Sequence, residues 1–332
     1  MKKRPIIGVT LSCGSVRGFS QVGILKVLEK AGIPIDMIAG CSAGAFVGTG
    51  YALGRSIEDL EKISRVIPWT RMFPVTPTKT GLISTMYWEK LVEIYTKGKG
   101  FSDCRIPLYI QTTNLTKKKG EVFSKGDLQK ILIASMSIPG ICSPVKIGND
   151  EYIDGGVTDP VPFQVLLDHG CDIVIAVDLT EKFLGQETDT IFQKTVEESV
   201  HDDIQELMMF MDQRRRLPRK LSVAFDNMSQ RVTKWFISPY HLFNHQKKGP
   251  LRLFAIMNES FGIVQHELFQ TRKMHAKNVI FIKPDFSAIS KKDFWTTAAF
   301  IEEGEKAAQK SLPALQKAIT LQQLALLSKR RP

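Results

Sequence analysis

Residues 35–53 read IDMIAGCSAGAFVGTGYAL, and this stretch decides the fold. Residues 35–39 have the apolar composition of a short buried strand, and residues 43–53 have that of a helix. Between them, Gly40-Cys41-Ser42-Ala43-Gly44 fits the pattern G-x-S-x-G. The pattern predicts a sharp strand-to-helix turn, called an elbow, that exposes the Ser42 hydroxyl. Gly40 and Gly44 leave room for that turn.

The pentapeptide alone is a weak signal, because a chain of this length contains G-x-S-x-G by chance roughly one time in ten. An alternative interpretation is a glycine-rich packing turn in which Ser42 caps the following helix. The position between a predicted strand and a predicted helix favours the elbow. An elbow would direct the helix N-terminus at a developing negative charge.

The segments around the elbow predict an α/β fold. Residues 6–11 have the pattern of a strand and residues 19–31 that of an amphipathic helix, so the chain begins β-α-β-α. Further strands are predicted at 108–112, 121–123, 151–153, 173–177 and 279–282. Further helices are predicted at 58–67, 87–95, 128–135, 163–167, 192–211, 255–274 and 301–311, followed by a separate C-terminal helix.

The composition is that of an ordinary globular chain, with 332 residues, 43% hydrophobic and 24% charged. The apolar run at residues 6–11 is too short for a signal peptide or a membrane span, so a cytoplasmic protein, peripheral at most to a membrane, is expected, while secretion by a route that reads no N-terminal signal stays open. The five cysteines are an odd set without the spacing of a zinc or redox site. They are expected to be reduced and mostly buried.

The positive charge is concentrated in a basic segment, residues 214–252, which holds ten Lys and Arg against one acidic residue, Asp226. Aromatic residues alternate with these charges, and such a mixture suits an anionic membrane surface. No recognised nucleic-acid motif accompanies the charge, so nucleic acid is not the expected partner. A solvated cap packed by its own aromatic residues is the alternative interpretation.

A glycine-containing loop, residues 12–18, follows the first strand and opens the first helix. Its backbone N–H groups could converge on an anion. The loop could hold a phosphate, although it is neither a Walker loop nor a G-x-G-x-x-G fingerprint. It could instead be the oxyanion hole for Ser42, because the first two strands of such a unit are commonly neighbours.

A second polar motif, Asp154-Gly155-Gly156, follows the predicted strand at 151–153. Such a sequence is often a plain turn. All six histidines lie beyond Asp154, so a Ser-His-Asp triad stays open by chain order. A carboxylate that acts directly as the base is the simpler interpretation, and it would require a raised pKa from partial burial.

Taken together, these motifs resemble those of the bacterial patatin-like phospholipases, a family of acyl hydrolases with a serine–aspartate dyad. The family's G-G-G-x-R-G loop, G-x-S-x-G elbow and D-G-[GA] motif correspond in order to residues 13–18, 40–44 and 154–156. The resemblance implies a three-layer α/β/α fold with a mostly parallel central sheet. It implies one domain over residues 1–313, with a helical and basic cap inserted at 181–254. Residues 314–332 would form a C-terminal helix and basic tail.

The resemblance also implies roles for individual residues. Ser42 would be the nucleophile and Asp154 the general base. The N–H groups of Gly14 and Ser15 would form the oxyanion hole, supported by Arg17 and Gly18. The reaction would be hydrolysis of lipid acyl esters, of the phospholipase A or lysophospholipase type, without metal or cofactor.

One departure from the family pattern supports a competing hypothesis. Cys13 and Ser15 stand where family members usually have glycine. A membrane-associated binding or regulatory protein on a catalytically weakened scaffold is therefore the alternative function. The sequence predicts no particular oligomeric state.

Overall fold

The computed structural model describes residues 4–66, 86–180, 250–289 and 297–328. The chain divides into two compact units, one comprising Met1–Met72, Thr76–Lys182 and Gly262–Pro332, the other Phe73–Val75 and Phe183–Phe261. Every predicted site residue lies in the first unit. The predicted helix at 192–211, and the predicted insertion and basic segment up to residue 249, lie outside the described residues.

The described part of the chain contains strands and helices in alternating order. The strands are β1 (Ile7–Leu11), β2 (Met37–Cys41), β3 (Leu108–Asn114), β4 (Lys119–Phe123), β5 (Val145–Ile147), β6 (Asp150–Asp154), β7 (Ile173–Val177) and β8 (Val279–Ile282). The helices are α1 (Ser20–Lys30), α2 (Ala43–Ala52), α3 (Ile57–Val66), α4 (Met86–Thr96), α5 (Leu128–Met136), α6 (Gln164–Asp168), α7 (Pro250–Lys273) and α8 (Thr297–Ser328). Short 3-10 helices occupy Ser15–Phe19, Phe101–Asp103 and Gly155–Val157.

The strands form one sheet in the order β5-β6-β3-β2-β1-β7-β8, with β4 paired to β3. From β3 to β8 along this order every neighbouring pair is parallel, whereas β4, β5 and β6 pair antiparallel. The prediction of a mostly parallel sheet is therefore confirmed. Because the carboxyl ends of parallel strands lie at one edge, the loops that follow β1 and β2 open on the same side of the sheet.

Helices cover both faces of the sheet. Successive residues of a strand point to opposite faces. Ile38 packs on one face beside Gly48 of α2. Its neighbour Ala39 belongs to a buried cluster on the other face, together with Leu166 of α6 and Phe269 of α7. These layers confirm the three-layer α/β/α architecture.

Strand β3 brings two distant parts of the chain together. β4 pairs along one edge of β3 at residues 110–114. The other edge is shared, because β2 pairs with it only as far as Cys41 opposite Gln111, and β6 takes over with Asp154 opposite Thr112. The carboxyl ends of β2 and β6 therefore meet at adjacent residues of one strand.

Two features differ from the sequence predictions. The short strand β5 was not expected, and α8 is one continuous helix where two were predicted. Pro313 lies inside α8. A proline inside a helix costs about 3 kcal/mol, but Ala308 and Leu315 are fully buried on either side of it, so packing holds the helix together. Among the helices in the described ranges, none has the length and apolarity needed to cross a bilayer.

Helix α8 packs closely on α1, the helix that follows the 12–18 loop. A Cβ on Gly23 of α1 would overlap the carbonyl oxygen of Ile301, and a Cβ on Gly304 of α8 would overlap that of Ser20. The two backbones can approach only because both positions are glycine. This contact fixes α1 and, through it, the loop.

We predict that Gly23→Ala destabilises the protein by about 2–3 kcal/mol, because the new methyl must separate two packed helices. Gly262→Ala is the matched control, since this glycine is also inside a helix but a Cβ there would meet nothing within 4 Å. Alanine should stabilise that position by up to about 1 kcal/mol. Urea unfolding measures both values, and an equal effect of the two substitutions would contradict this account of the contact.

Candidate active site

Ser42 occupies the turn between β2 and α2 in a strained conformation. Its backbone angles are φ 53° and ψ −120°. Non-glycine residues avoid this region, and holding one there costs on the order of 1–3 kcal/mol. Such strain persists only where surrounding contacts hold the backbone in place. Strained residues of this kind cluster at active sites, so the conformation of Ser42 supports a functional role for it.

The flanking glycines make the turn sterically accessible. A Cβ on Gly44 would overlap the carbonyl oxygen of Leu11, the last residue of β1. A Cβ on Gly40 would lie 2.7 Å from the Cα of Ala45. Both contacts would be closer than real Cβ atoms ever come to a neighbouring atom. The close approach of β1, β2 and α2 therefore requires glycine at both positions.

Both backbone polar groups of Ser42 are hydrogen-bonded. The N–H donates to the hydroxyl oxygen of Ser135 at 2.9 Å. The carbonyl accepts from the N–H of Phe46 at 3.1 Å. The Ser42 N–H is therefore already engaged and does not supply an oxyanion donor.

Asp154 is held at the end of β6 and is only 2% exposed. Its backbone N–H donates to the carbonyl of Ser137 at 2.9 Å. Its Oδ1 atom accepts from the N–H of Gly156 at 2.8 Å and lies 3.9 Å from the Cys41 thiol. The Ser42 side chain also hydrogen-bonds to this carboxyl group. The fold thus brings the serine side chain and the buried carboxyl group together.

Burial determines the proton affinity of Asp154. Removal from water raises the pKa of its carboxyl group to about 6, although hydrogen bonds from Ser42, Gly156 and Cys41 favour the charged form. Burial, the Cys13 thiol and the Asp154 charge likewise raise the pKa of the Cys41 thiol. Near neutral pH the carboxyl group can therefore be ionised and can also take up a proton, as a general base must.

The 12–18 loop lies beside this pair. Its Cys13 N–H donates to the carbonyl of Pro160 at 3.0 Å, which ties the loop to the segment after Asp154. Cys13 also hydrogen-bonds to Cys41 through the two thiols. A Cβ on Gly18 would overlap the side chain of Ala43, so the loop also approaches the residue after Ser42.

In the conformation of the loop, two backbone donors have no acceptor among the described residues. The Arg17 N–H donates to the carbonyl of Gly14 at 3.1 Å and so closes a 3-10 turn. Ser15 has φ 50°, the left-handed region in which glycine is usual. Within the described ranges, no residue accepts a hydrogen bond from the N–H of Gly14 or Ser15.

Two residues near the pair were not singled out from the sequence. Ser135 supports the elbow backbone. The side-chain amide nitrogen of Gln265 in α7 would overlap a Cβ placed on Gly156. The Gln265 side chain therefore reaches the turn that follows Asp154. Ser135 lies in the run Ala134-Ser135-Met136-Ser137-Ile138-Pro139-Gly140, which also resembles the patatin-like phospholipases and is the only sequence signal for it. Gln265 has none, because its contact depends on how α7 packs.

Two of the three described histidines bond elsewhere. His169 and His266 contact the carbonyls of Val165 and Thr180 through their Nδ1 atoms. Within residues 4–66, 86–180, 250–289 and 297–328, no group of three His, Cys, Asp or Glu side chains is arranged to hold a metal ion.

Fold and site together define a three-layer α/β/α domain with a serine and an aspartate brought together at the carboxyl edge of its sheet. Residues 9–167, which include both, match the family model described as patatin-like phospholipase.

Curated relatives are similar in sequence to about half of the chain. The chain is similar to "Lysophospholipase NTE1" of Kluyveromyces lactis, with 34% identity over 190 residues, which is 52% of this chain and 12% of that protein. It is equally similar to "Lysophospholipase NTE1" of Cryptococcus neoformans, with 34% identity over 192 residues, 52% of this chain and 11% of that protein. The chain therefore spans only a small part of the length of these relatives.

Among solved structures, VipD from Legionella pneumophila has a similar fold. The TM-score is 0.52 at 13% identity, over 94% of this chain and 67% of that chain. At this identity the likeness supports the fold alone.

The buried carboxylate predicts a pH-dependent stability difference for Asp154→Asn. Because the folded protein holds the Asp154 proton with a pKa of about 6 instead of 3.8, stability is lost as the pH rises through 6. The cost at pH 8 is up to about 3 kcal/mol. The asparagine variant, which keeps an oxygen for the Gly156 N–H, should be more stable than wild type by about 1–3 kcal/mol at pH 8 and equal to it near pH 4.

Urea unfolding at the two pH values measures this difference. Asp168→Asn, which removes a negative charge from an exposed position, is the matched control and should change stability by less than about 0.5 kcal/mol at either pH. A destabilising effect of Asp154→Asn at pH 8 would contradict the description of Asp154 as a buried, costly charge.

Proposed function

We propose that the protein is a serine hydrolase of lipid acyl esters, of the phospholipase A or lysophospholipase type, with Ser42 as nucleophile and Asp154 as base. The observation that carries this proposal is that the Ser42 side chain, on its strained elbow, interacts with a buried carboxyl group whose pKa is about 6. No imidazole is needed between them. The description of the matching family and the names of the relatives support a lipid ester as substrate.

In the first half of the reaction, the Ser42 oxygen attacks the ester carbonyl carbon while Asp154 accepts the hydroxyl proton. The tetrahedral intermediate collapses, the bond from carbon to the leaving oxygen breaks, and Asp154 returns the proton to the departing alcohol. The products are a free alcohol or lysolipid and an acyl group attached to Ser42.

In the second half, water attacks the acyl-serine. Asp154 accepts a proton from this water and returns it to the Ser42 oxygen as the acyl bond breaks. A fatty acid leaves and the resting enzyme is restored. The same carboxyl group serves both halves, which a pKa of about 6 allows near neutral pH.

The negative charge that develops on the carbonyl oxygen requires hydrogen-bond donors. We assign this role to the N–H groups of Gly14 and Ser15, with Arg17 and Gly18 holding the loop in shape. The Ser42 N–H is excluded because Ser135 already accepts it. The N-terminus of the ten-residue helix α2, which begins at Ala43, adds a favourable dipole.

The alternative of a non-catalytic binding protein rests on Cys13 and Ser15. The backbone of Ser15 adopts the left-handed conformation that glycine would take, and the thiol of Cys13 packs against that of Cys41. Neither side chain removes a backbone donor. These observations favour the hydrolase.

We predict that Ser42→Ala and Asp154→Asn each lower the hydrolysis of a chromogenic fatty-acyl ester and of lysophosphatidylcholine by about a thousandfold or more, because each removes a group that the chemical step requires. Ser64→Ala, a buried serine whose hydroxyl donates to Glu61 within α3, should keep wild-type activity. Circular dichroism checks that each variant is folded. Hydrolysis at the wild-type rate by purified Ser42→Ala would disprove the proposal.

We also propose that the basic segment, residues 214–252, contacts anionic membranes. Its ten basic residues against one acid would place the enzyme at the surface where its substrates lie. Each basic residue near an anionic bilayer contributes about 1 kcal/mol, and salt screens this attraction.

The prediction is that the protein sediments with phosphatidylglycerol vesicles at low salt and is released at high salt. Replacing Arg214, Arg215, Arg216, Arg219 and Lys220 by glutamine should weaken vesicle binding at least about tenfold. The control replaces five exposed lysines of the first unit, Lys97, Lys99, Lys118, Lys119 and Lys125, and removes the same charge. Equal loss of binding in both variants would show that net charge alone, and not the segment, binds the membrane.

A further inference from the structure

Ser135 is a buried serine that connects helix α5 to the elbow. Its side chain is fully buried near the end of α5. The hydroxyl donates to the carbonyl of Gln111 at 2.8 Å and accepts from the N–H of Ser42 at 2.9 Å. Because its single proton is committed to Gln111, the oxygen lone pairs face Ser42.

The two bonds join the elements that meet at the site. Gln111 of β3 is the register partner of Cys41, and the next residue, Thr112, is the partner of Asp154. One hydroxyl therefore ties the elbow to the position on β3 where β2 and β6 meet. Two residues further on, the Ser137 carbonyl accepts the Asp154 N–H. The end of α5 thus holds the backbones of both Ser42 and Asp154.

We propose that Ser135 is a positioning residue for hydrolysis, which keeps Ser42 in its strained conformation with the hydroxyl directed at Asp154. The inference rests on the proposed hydrolase function and adds a requirement to it. Ser135 also occupies the Ser42 N–H, so the oxyanion depends on the loop donors alone. It does not touch the reacting atoms.

Loss of the hydroxyl would have two effects. The Ser42 N–H and the Gln111 carbonyl would lose a partner within the buried part of the fold, and unpaired buried groups are unfavourable. The elbow would also lose the bond that opposes relaxation of its φ of 53°. A shift of about 1 Å in a catalytic group costs on the order of a hundredfold in rate.

The test compares Ser135→Ala with Ser64→Ala, since both remove the hydroxyl of a fully buried helical serine but only Ser135 bonds to the elbow. We expect Ser135→Ala to lower kcat about tenfold to a hundredfold. KM should stay within about twofold, because the loss falls on the chemical step. The rate of Ser42 labelling by a fluorophosphonate should fall by the same factor, with an unchanged pH midpoint. Ser64→Ala should match wild type in all of these.

Ser135→Cys covers the case in which the alanine variant does not fold. A thiol fills the position but is a weak donor and acceptor, so its kcat should lie between the wild-type and alanine values. Wild-type kcat in the folded Ser135→Ala or Ser135→Cys variant would overturn the positioning role while leaving the hydrolase intact. Absence of hydrolysis and labelling in the wild-type protein would instead remove the proposed function and this inference with it.

Discussion

The site depends on the shared edge of strand β3. β2 stops pairing at Gln111 and β6 begins at Thr112, so two strands that run in opposite directions end against each other. Ser42 follows the end of β2, and Asp154 is the last residue of β6. More than a hundred residues separate the two in sequence, yet one strand fixes their distance. A change in either register would move one of them away from the other.

Around this junction the protein maintains two unfavourable features. Ser42 has a backbone conformation that non-glycine residues rarely adopt. The carboxyl group of Asp154 is buried and desolvated, which makes its charged form unfavourable. The surrounding contacts offset both costs: glycines admit the turn, Ser135 and Phe46 bond the Ser42 backbone, and Gly156 bonds the carboxylate. Strain and a raised pKa are also what nucleophilic catalysis requires, so stability and activity are opposed at these positions.

Much of this arrangement follows from local sequence patterns. The elbow, the buried strand β7 and the order of the three motifs each depend on short runs of residues, and the structure has these elements where the patterns predict them. Pairing between distant strands leaves no such local trace, so the meeting of β2 and β6 could not be predicted. Ser135 lies in a family-like run, residues 134–140, but nothing in that run distinguishes its role from that of any serine packed inside a helix. Gln265 reaches Gly156 only through the packing of α7. A helix end was predicted at residue 311, but buried contacts on both sides of Pro313 keep α8 continuous there.

The central claim is that Asp154 itself activates Ser42. The most direct test is the second-order rate of fluorophosphonate labelling as a function of pH, with the labelled residue located by mass spectrometry. The account predicts modification at Ser42, with a rate that rises through a midpoint near pH 6 in wild type and stays low and flat in Asp154→Asn. Labelling of Ser42 that is equally fast in Asp154→Asn, or a midpoint at the ordinary carboxyl value of about 4, would contradict it.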